Sequence, residues 1–529
     1  MTRWTARALR TTAAALLATA TLAGCTQTTA GLGTAAGHDK APAGTQSPSG
    51  TAVAPAQRTI SFSDCSALFS GTSVPVQPAL RGKLSYGCAK LQVPLNYADP
   101  TGSQISLQLV KIHDADNAHS LGSLLVNPGG PGGSGVELAL GLLSEMSPSI
   151  LEHFDLLGFD PRGVELSTPL HCISDAQKDR LNAESPDVLT TAGFNQAKRL
   201  AAQVADGCST KYGPALAQFN TVNTARDMDR IRQAVGDKQM NYLGFSYGTQ
   251  LGSTYAHLFP GKIRVAVLDG AVDPLTSGIK QFADQLGGFE GAFDQFATWC
   301  RAQSPCSSLG NPRQSVYDVV AAANAHPLGT DDPGETRRVT SSLVLTGVLE
   351  ALYSKSSWKQ LGSALIQAER GDGTGLLSLA DDYNQRYNGH YTNIMDANLA
   401  ISCNDEKPGP TDPKIRATAQ KWSTQYPMFG KWAAISLFGC QQWQPNRTPV
   451  PKPTAPTAHK VLVIGNLHDP ATPYQGAIDL TKTMGNAELL SWDGEGHTSY
   501  LQGSSCVDNY VNAYLIHGTL PPANTTCPR

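Results

Sequence analysis

Gly244-Phe245-Ser246-Tyr247-Gly248 constrains the fold more than any other stretch of this chain, because of what flanks it. Met240 to Leu243 reads as a buried strand and Thr249 to His257 as a helix. A G-x-S-x-G pentapeptide alone is a weak signal. Between a strand and a helix it reads as a sharp turn that small residues permit, with the Ser246 hydroxyl held out beyond the end of a sheet. The alternative, an ordinary turn serine, requires no partners elsewhere in the chain.

A serine hydroxyl is a poor nucleophile until a base takes its proton, so this turn predicts a histidine and an acid to orient it. Lys460-Val461-Leu462-Val463-Ile464-Gly465 is a short apolar run with β-branched bias, and it leads through Asn466-Leu467-His468 to Asp469, just past a strand end. A second run, Ala487 to Trp492, leads to Gly494-Glu495-Gly496-His497-Thr498, where glycines on a loop free the imidazole to turn toward the serine. His468 is the rival base, read as a loop residue beside the acid. Asp269 is the rival acid, since Val265 to Leu268 is also a strand ending in a carboxylate. The order Ser246, Asp469, His497 is that of α/β-hydrolases.

Acyl transfer also needs donors for a developing oxyanion, and backbone amides in a glycine-rich loop supply them without reorganisation. Ser123 to Val126 reads as a buried strand, followed directly by Asn127-Pro128-Gly129-Gly130-Pro131-Gly132-Gly133-Ser134-Gly135. The Gly130 amide is expected to be one oxyanion donor. The amide of Tyr247, the residue after the nucleophile, is expected to be the other.

On these residues the chain resembles the secreted actinobacterial tripeptidyl aminopeptidases of the α/β-hydrolase superfamily, relatives of the prolyl aminopeptidases. The matching positions are Asn127 to Gly135, Phe159-Asp160-Pro161-Arg162-Gly163, Gly244 to Gly248, Leu268-Asp269-Gly270, Asp469-Pro470-Ala471-Thr472-Pro473 and Gly496-His497. They span most of the mature chain and are specific together rather than singly. The resemblance favours Asp469 over Asp269. It implies a serine peptidase that releases short peptides, tripeptides in the family, from free N-termini through an acyl-enzyme, with no metal and no organic cofactor. The family continues its Asp-Pro-Arg-Gly segment with another glycine two residues on, where this chain has Glu165, which puts the local turn in question. Arg162 and Asp160 are expected to brace the site through a buried ion pair or hydrogen bonds to loop carbonyls.

The N-terminus addresses where this chemistry would take place. Arg3, Arg7 and Arg10 form a basic leader, and Thr11 to Ala20 is an apolar or small stretch too short to span a membrane. Leu22-Ala23-Gly24-Cys25 resembles a bacterial lipobox, so residues 1–25 read as a lipoprotein signal with Cys25 as the lipidated residue. A plain secretory signal is the alternative. Residues 26–58, rich in Thr, Gly, Ala, Pro and Ser, read as a disordered tether that holds the catalytic domain off the outer face of a cell membrane. Of 11 cysteines, those after Cys25 are even in number, as disulfides in an exported protein require. Pairing neighbours gives Cys65–Cys88, Cys172–Cys208, Cys300–Cys306, Cys403–Cys440 and Cys506–Cys527. Zinc is the other use of cysteine, but no CxxC pair is present and the spacings are irregular.

At 529 residues and 40% hydrophobic content the chain exceeds one ordinary domain, and a net charge of -3 gives no reason to expect nucleic acid. The long segment between the strands at Val265 and Val461 carries helix-like stretches such as Ser342 to Tyr353 and Trp358 to Glu369. The fold is therefore expected to be α/β, a mostly parallel sheet flanked by helices, formed by residues 59–276 and 455–529. A large, mainly helical cap, residues 277–454, is inserted before the strand that carries Asp469. Recognition of a free α-ammonium calls for carboxylates in the cleft, and Asp405 and Glu406, beside the anchoring Cys403, are the candidates. A solvated acidic turn is the plain alternative. Two other functions use the same sequence: a carboxylic-ester hydrolase with the same triad, and a non-catalytic surface lipoprotein that binds peptides.

Overall fold

The computed structural model describes residues 59–70, 74–118, 120–276, 278–456 and 459–529. The signal expected over residues 1–25, with Cys25, and the tether expected over 26–58 lie outside the described residues, as does Ser277.

In chain order the strands are β1 (Ser63–Asp64), β2 (Leu84–Pro94), β3 (Gln104–Asp114), β4 (Ser123–Asn127), β5 (Asp155–Phe159), β6 (Met240–Phe245), β7 (Ile263–Asp269), β8 (Arg386–Tyr387), β9 (His390–Tyr391), β10 (Val461–His468), β11 (Ala487–Glu495) and β12 (Thr526–Cys527). All but β8 and β9, which pair only with each other, form one 10-stranded sheet in the order β1-β2-β3-β5-β4-β6-β7-β10-β11-β12. From β5 to β12 every neighbour is parallel. The edge β1-β2-β3 is antiparallel, and β3 joins β5 antiparallel.

The central strands are buried because both of their faces are covered. Along β4, Leu124 and Val126 face one layer while Leu125 faces the other; along β10, Leu462 and Ile464 oppose Val461 and Val463. A strand buried on both faces cannot alternate polar with apolar, which is why these segments read as continuous apolar runs. Helices Gly135–Leu142 and Ser505–His517 cover one face. Helices Thr221–Ala234, Tyr247–Leu258 and Gln475–Met484 cover the other.

The cap has its own apolar core, in which Phe293, Phe296, Val344, Val348, Trp358 and Phe429 are buried together. It takes in more of the chain than 277–454. Helices Asp175–Ala183 and Thr191–Tyr212, between β5 and β6, belong to it: Val188, Phe194 and Ala197 join the cap core, and the Phe194 ring packs edge-on against Phe438 at 4.9 Å. Ion pairs Asp179–Arg386, Lys198–Asp412 and Asp187–Lys431 reinforce the joint. The physical reason is an amphipathic helix, Thr191–Tyr212, whose apolar stripe faces cap helices rather than the sheet.

Cysteines pair as nearest neighbours in sequence: Cys65–Cys88, Cys172–Cys208, Cys300–Cys306, Cys403–Cys440 and Cys506–Cys527. Among the described residues, no helix is long and apolar enough to cross a membrane, and no group of three or more His, Cys, Asp or Glu side chains is arranged to hold a metal.

Candidate active site

The chain turns at Ser246 between β6 and helix Tyr247–Leu258, and Ser246 takes φ +56°, a left-handed conformation a non-glycine residue adopts only when its surroundings impose it. The Ser246 amide donates to the Asp269 carbonyl at 2.9 Å, tying the turn to the end of β7. The loop after β4 closes on the turn from the other side. Gly129, at φ +96°, lies so near that a Cβ there would sit 2.9 Å from both Ser246 Cβ and the Tyr247 amide nitrogen, so only glycine fits. Gly130 follows it, and Tyr247 opens a helix, where the first amides have no partner within the helix. The two expected oxyanion donors are thus the residues that directly follow the Gly129–Ser246 contact in each of its two segments.

His497 and Asp469 meet beyond the ends of β11 and β10. The imidazole Nδ1 lies 2.9 Å from each carboxylate oxygen of Asp469. Asp469 is itself fixed, accepting the amides of Ala471 (2.9 Å), Thr472 (2.8 Å) and Thr498 (3.0 Å). Its side chain is fully buried while that of His497 keeps 12% exposure, so the imidazole is the member of the pair that solvent reaches. Burial works against the imidazolium, but the Asp469 carboxylate, with a smaller contribution from Asp269, more than offsets this and raises the His497 pKa above the usual histidine value. Thr472 Oγ1 lies 3.3 Å from the same Nδ1. Asn466, on β10, clamps the loop by donating to the Gly496 carbonyl at 2.6 Å. Gly270, directly after β7, contacts this loop as well: a Cβ there would lie 3.2 Å from His497 Cε1. The serine turn and the histidine loop therefore share the end of β7.

The rivals are elsewhere. His468 Nε2 pairs with Asp493 (3.1 Å) and Arg529 (3.1 Å), outside this constellation. Asp269 is buried and accepts the amides of Ser499 (3.0 Å) and Tyr500 (2.8 Å), so it anchors the loop that follows His497. Burial pushes its carboxyl up to about 7. The cap reaches the site directly, since Tyr353 accepts the His497 amide at 2.8 Å and its ring meets the imidazole edge-on at 5.6 Å.

Arg162 is fully buried and braces the site, but its partner is Asp227 rather than Asp160. The guanidinium is bidentate to Asp227 (2.7 and 2.6 Å) and donates to the carbonyls of Pro94, Leu95 and Gln218. Asp160 instead accepts from the Ser134 hydroxyl at 2.5 Å and the Leu166 amide at 3.1 Å, holding the glycine-rich loop to the segment after β5. Glu165, where the resembling family has glycine, keeps a glycine-like φ of +39°. Asn393 stabilises that turn: its Oδ1 accepts the Glu165 amide at 2.9 Å, and its own amide donates to Glu165 Oε1 at 3.3 Å.

Of the two candidate ammonium ligands, Asp405 is buried and both its oxygens are engaged, by the Thr221 amide (2.9 Å) and the Thr221 hydroxyl (2.6 Å). Burial pushes it up to about 7. Glu406 is half-buried against Gly278; burial raises its carboxyl and Arg447 opposes the shift. Sequence reasoning missed Asn466, Asp227, Thr221 and Asn393. The one legible signal was Asn466, a polar residue interrupting an apolar strand just before the acid.

A hydroxyl on a strained turn, a buried carboxylate–imidazole pair and flanking amides define an α/β-hydrolase-fold serine hydrolase. The family described as TAP-like protein matches residues 426–527, which carry both Asp469 and His497. Serine protease Hip1 of Mycobacterium tuberculosis is 38% identical over 457 residues, 83% of this chain and 87% of that protein. A protein named carboxylesterase B from the same organism is 38% identical over 506 residues, 93% and 94% of the two chains. Tripeptidyl aminopeptidase of Streptomyces coelicolor is 31% identical over 462 residues, 83% and 82% of the two. The chain belongs to this family of tripeptidyl-aminopeptidase-like serine peptidases.

Proposed function

We propose that the protein cleaves short peptides, of tripeptide length, from the free N-termini of longer ones, with Ser246, His497 and Asp469 as its triad. The observation that carries this is the imidazole fixed at 2.9 Å on a buried carboxylate, on a loop that shares the end of β7 with the strained serine. His497 takes the Ser246 proton as Oγ attacks the scissile carbonyl, and the amides of Gly130 and Tyr247 receive the oxyanion. The imidazolium, steadied by Asp469, then gives that proton to the leaving amine, and the acyl-enzyme forms. Water repeats the cycle and releases the N-terminal fragment. Relatives named as a serine protease and a tripeptidyl aminopeptidase support the substrate class.

A serine-directed fluorophosphonate should form an adduct at Ser246 in the wild type and none in Ser246→Ala; a binding protein would form none in either. Mass spectrometry of products from free and acetylated peptides tests the rest. Cleavage three residues from a free amine, abolished by acetylation, is expected, and cuts indifferent to acetylation would refute it. The 38% identical relative named carboxylesterase B favours a second reading, ester hydrolysis with the same triad. Rates on peptide p-nitroanilides against simple aryl esters separate the two.

Glu406 is our candidate for the substrate ammonium, Asp405 being already held by Thr221. Glu406→Gln should raise KM for free-amine peptides about tenfold or more while sparing uncharged esters. Equal losses on both would discard it. We further propose export and anchoring at the outer membrane face through a lipidated Cys25, a reading supported by the lipobox-like sequence and by disulfide use in the folded domain. Cys25→Ser should release the protein from membranes into the medium, and unchanged partitioning would count against the anchor.

A further inference from the structure

One helix of the inserted segment, Ile394–Asp405, packs Ala397 and Ile401 into the core beneath the sheet and reaches the proposed oxyanion hole from two directions, through the glycine-rich loop and through Thr221. Near its start the helix lies over the glycine-rich loop. Asn398 Nδ2 donates to the Pro131 carbonyl at 3.1 Å, and a Cβ on Gly132 would come 2.7 Å from the Ile394 carbonyl. At its end Asp405 takes the amide and the hydroxyl of Thr221, and the Thr221 hydroxyl is also bonded to the Tyr247 hydroxyl.

The chemistry gives this relay a direction. Thr221 opens helix Thr221–Ala234, so its amide is among those without an intrahelical partner, and a carboxylate at that end is favoured by the helix dipole. A hydroxyl carries one proton. When Asp405 is ionised, Thr221 spends it on that carboxylate and Tyr247 donates to Thr221, so the order runs Tyr247 to Thr221 to Asp405. Tyr247 is only 7% exposed, and a buried phenol without a partner is costly. Its ring is thereby held at the far end from the backbone amide proposed to bind the oxyanion.

We infer that Asp405 and Thr221 are positioning residues for the oxyanion hole, orienting Tyr247 through its hydroxyl so that its amide faces the developing negative charge. This rests on the serine-hydrolase reading above and deepens it: the carboxylate expected to bind a substrate ammonium acts on the reaction from behind the nucleophile. This helix of the inserted segment is then part of the catalytic floor rather than a lid.

The test is steady-state kinetics of the full chain on free-amine and acetylated peptide p-nitroanilides and on an aryl ester, for Thr221→Val, Thr221→Ser, Tyr247→Phe, Asp405→Asn and the Thr221→Val/Tyr247→Phe double variant. Thr221→Val, Tyr247→Phe and Asp405→Asn should each lower kcat about tenfold on all substrates with KM within about twofold, less than the loss of a whole oxyanion donor. Thr221→Ser should restore kcat to within about twofold of wild type. The double variant should fall no further than either single one, because both break the same link. Unchanged kcat with a lowered Tm would make the relay merely structural, and a KM increase confined to free-amine substrates would return Asp405 to ammonium binding; either overturns the inference. Should Asp405→Asn not fold, the Thr221→Val and Thr221→Ser pair decides alone. Absence of a fluorophosphonate adduct at wild-type Ser246 would instead sink the serine reading, and this inference with it.

Discussion

Strands β7 and β10 pair side by side, Asp269 opposite Ile464, and each leads to a buried aspartate whose oxygens collect backbone amides. Only one of the two carboxylates holds the imidazole. β10 continues past the register of Asp269, shifts between Asn466 and His468, and so carries Asp469 beyond the sheet edge to where the β11 loop delivers His497. Asp269 ends within the sheet and secures the same loop two residues further along, through Ser499 and Tyr500. A carboxylate at a strand end is thus insufficient for the acid role; reach beyond the edge decides it. Both aspartates serve one loop, Asp469 by orienting its imidazole and Asp269 by anchoring its backbone.

The largest effect should come from exchanging each carboxylate for its amide. Asp469→Asn keeps the shape but removes the charge that fixes the imidazole tautomer, and kcat/KM should fall on the order of 10³- to 10⁴-fold. Asp269→Asn retains an oxygen to accept the two loop amides and should cost about tenfold or less. A reversed ranking in single-turnover and steady-state assays would move the acid to β7.

The pH profile sharpens the same contrast. His497 acts as a base only when neutral, and its pKa is raised, so the acidic limb of kcat/KM should lie above the ordinary histidine value of 6.5, with activity gained as pH rises through it. Removing the Asp469 charge removes the largest opposing influence to burial and should move the limb down. Asp269 contributes to His497 in the same direction but less, so Asp269→Asn should shift the limb by a smaller step. A limb unmoved by either variant would detach the titration from His497.

How much of this was legible follows from the range of the interactions. The serine turn was readable because its strand, glycines and helix are consecutive, and burial on both faces left apolar runs in β4, β7 (Val265 to Leu268) and β10, with β6 interrupted by Asn241. The choice of Asp469 over Asp269 was not contained in local pattern, since both follow β-branched runs and only three-dimensional register separates them. The antiparallel edge of β2 and β3 and the assignment of helix Thr191–Tyr212 to the cap were likewise decided by tertiary contacts. Glu165 teaches the converse. Its departure from the glycine of the resembling family put the turn in question, yet Asn393, 228 residues away, stabilises the same backbone shape. Thr221 gave no signal because its meaning lies in Tyr247 and Asp405, 26 and 184 residues further along the chain.

A smaller effect tests the rival base. His468 is the last residue of β10, directly before Asp469, but pairs with Asp493 and Arg529 outside the constellation, so His468→Ala should leave kcat/KM within about twofold of wild type. A loss approaching that of Asp469→Asn would mean that the β10 loop, rather than the β11 loop, supplies the base.

The subtlest difference between the two strand ends lies in stability rather than rate. Burial pushes the Asp269 carboxyl from its ordinary 3.8 up to about 7 in the folded protein. Between those values the unfolded chain releases the proton while the folded one keeps it, so unfolding is favoured increasingly as pH rises. The stability that Asp269 contributes is full below about pH 4, declines through about 7, and is level above that, where both states are ionised. Asp269→Asn cannot titrate. The unfolding free energy of wild type minus that of Asp269→Asn should therefore fall across this window, measured by urea denaturation at matched ionic strength. Asp160 and Asp405, also held near 7 by burial, are present in both proteins and cancel in the difference. A flat difference from pH 4 to 7 would mean that Asp269 stays ionised beneath the loop, and its anchoring of Ser499 and Tyr500 would then be that of a charged acceptor, as at Asp469.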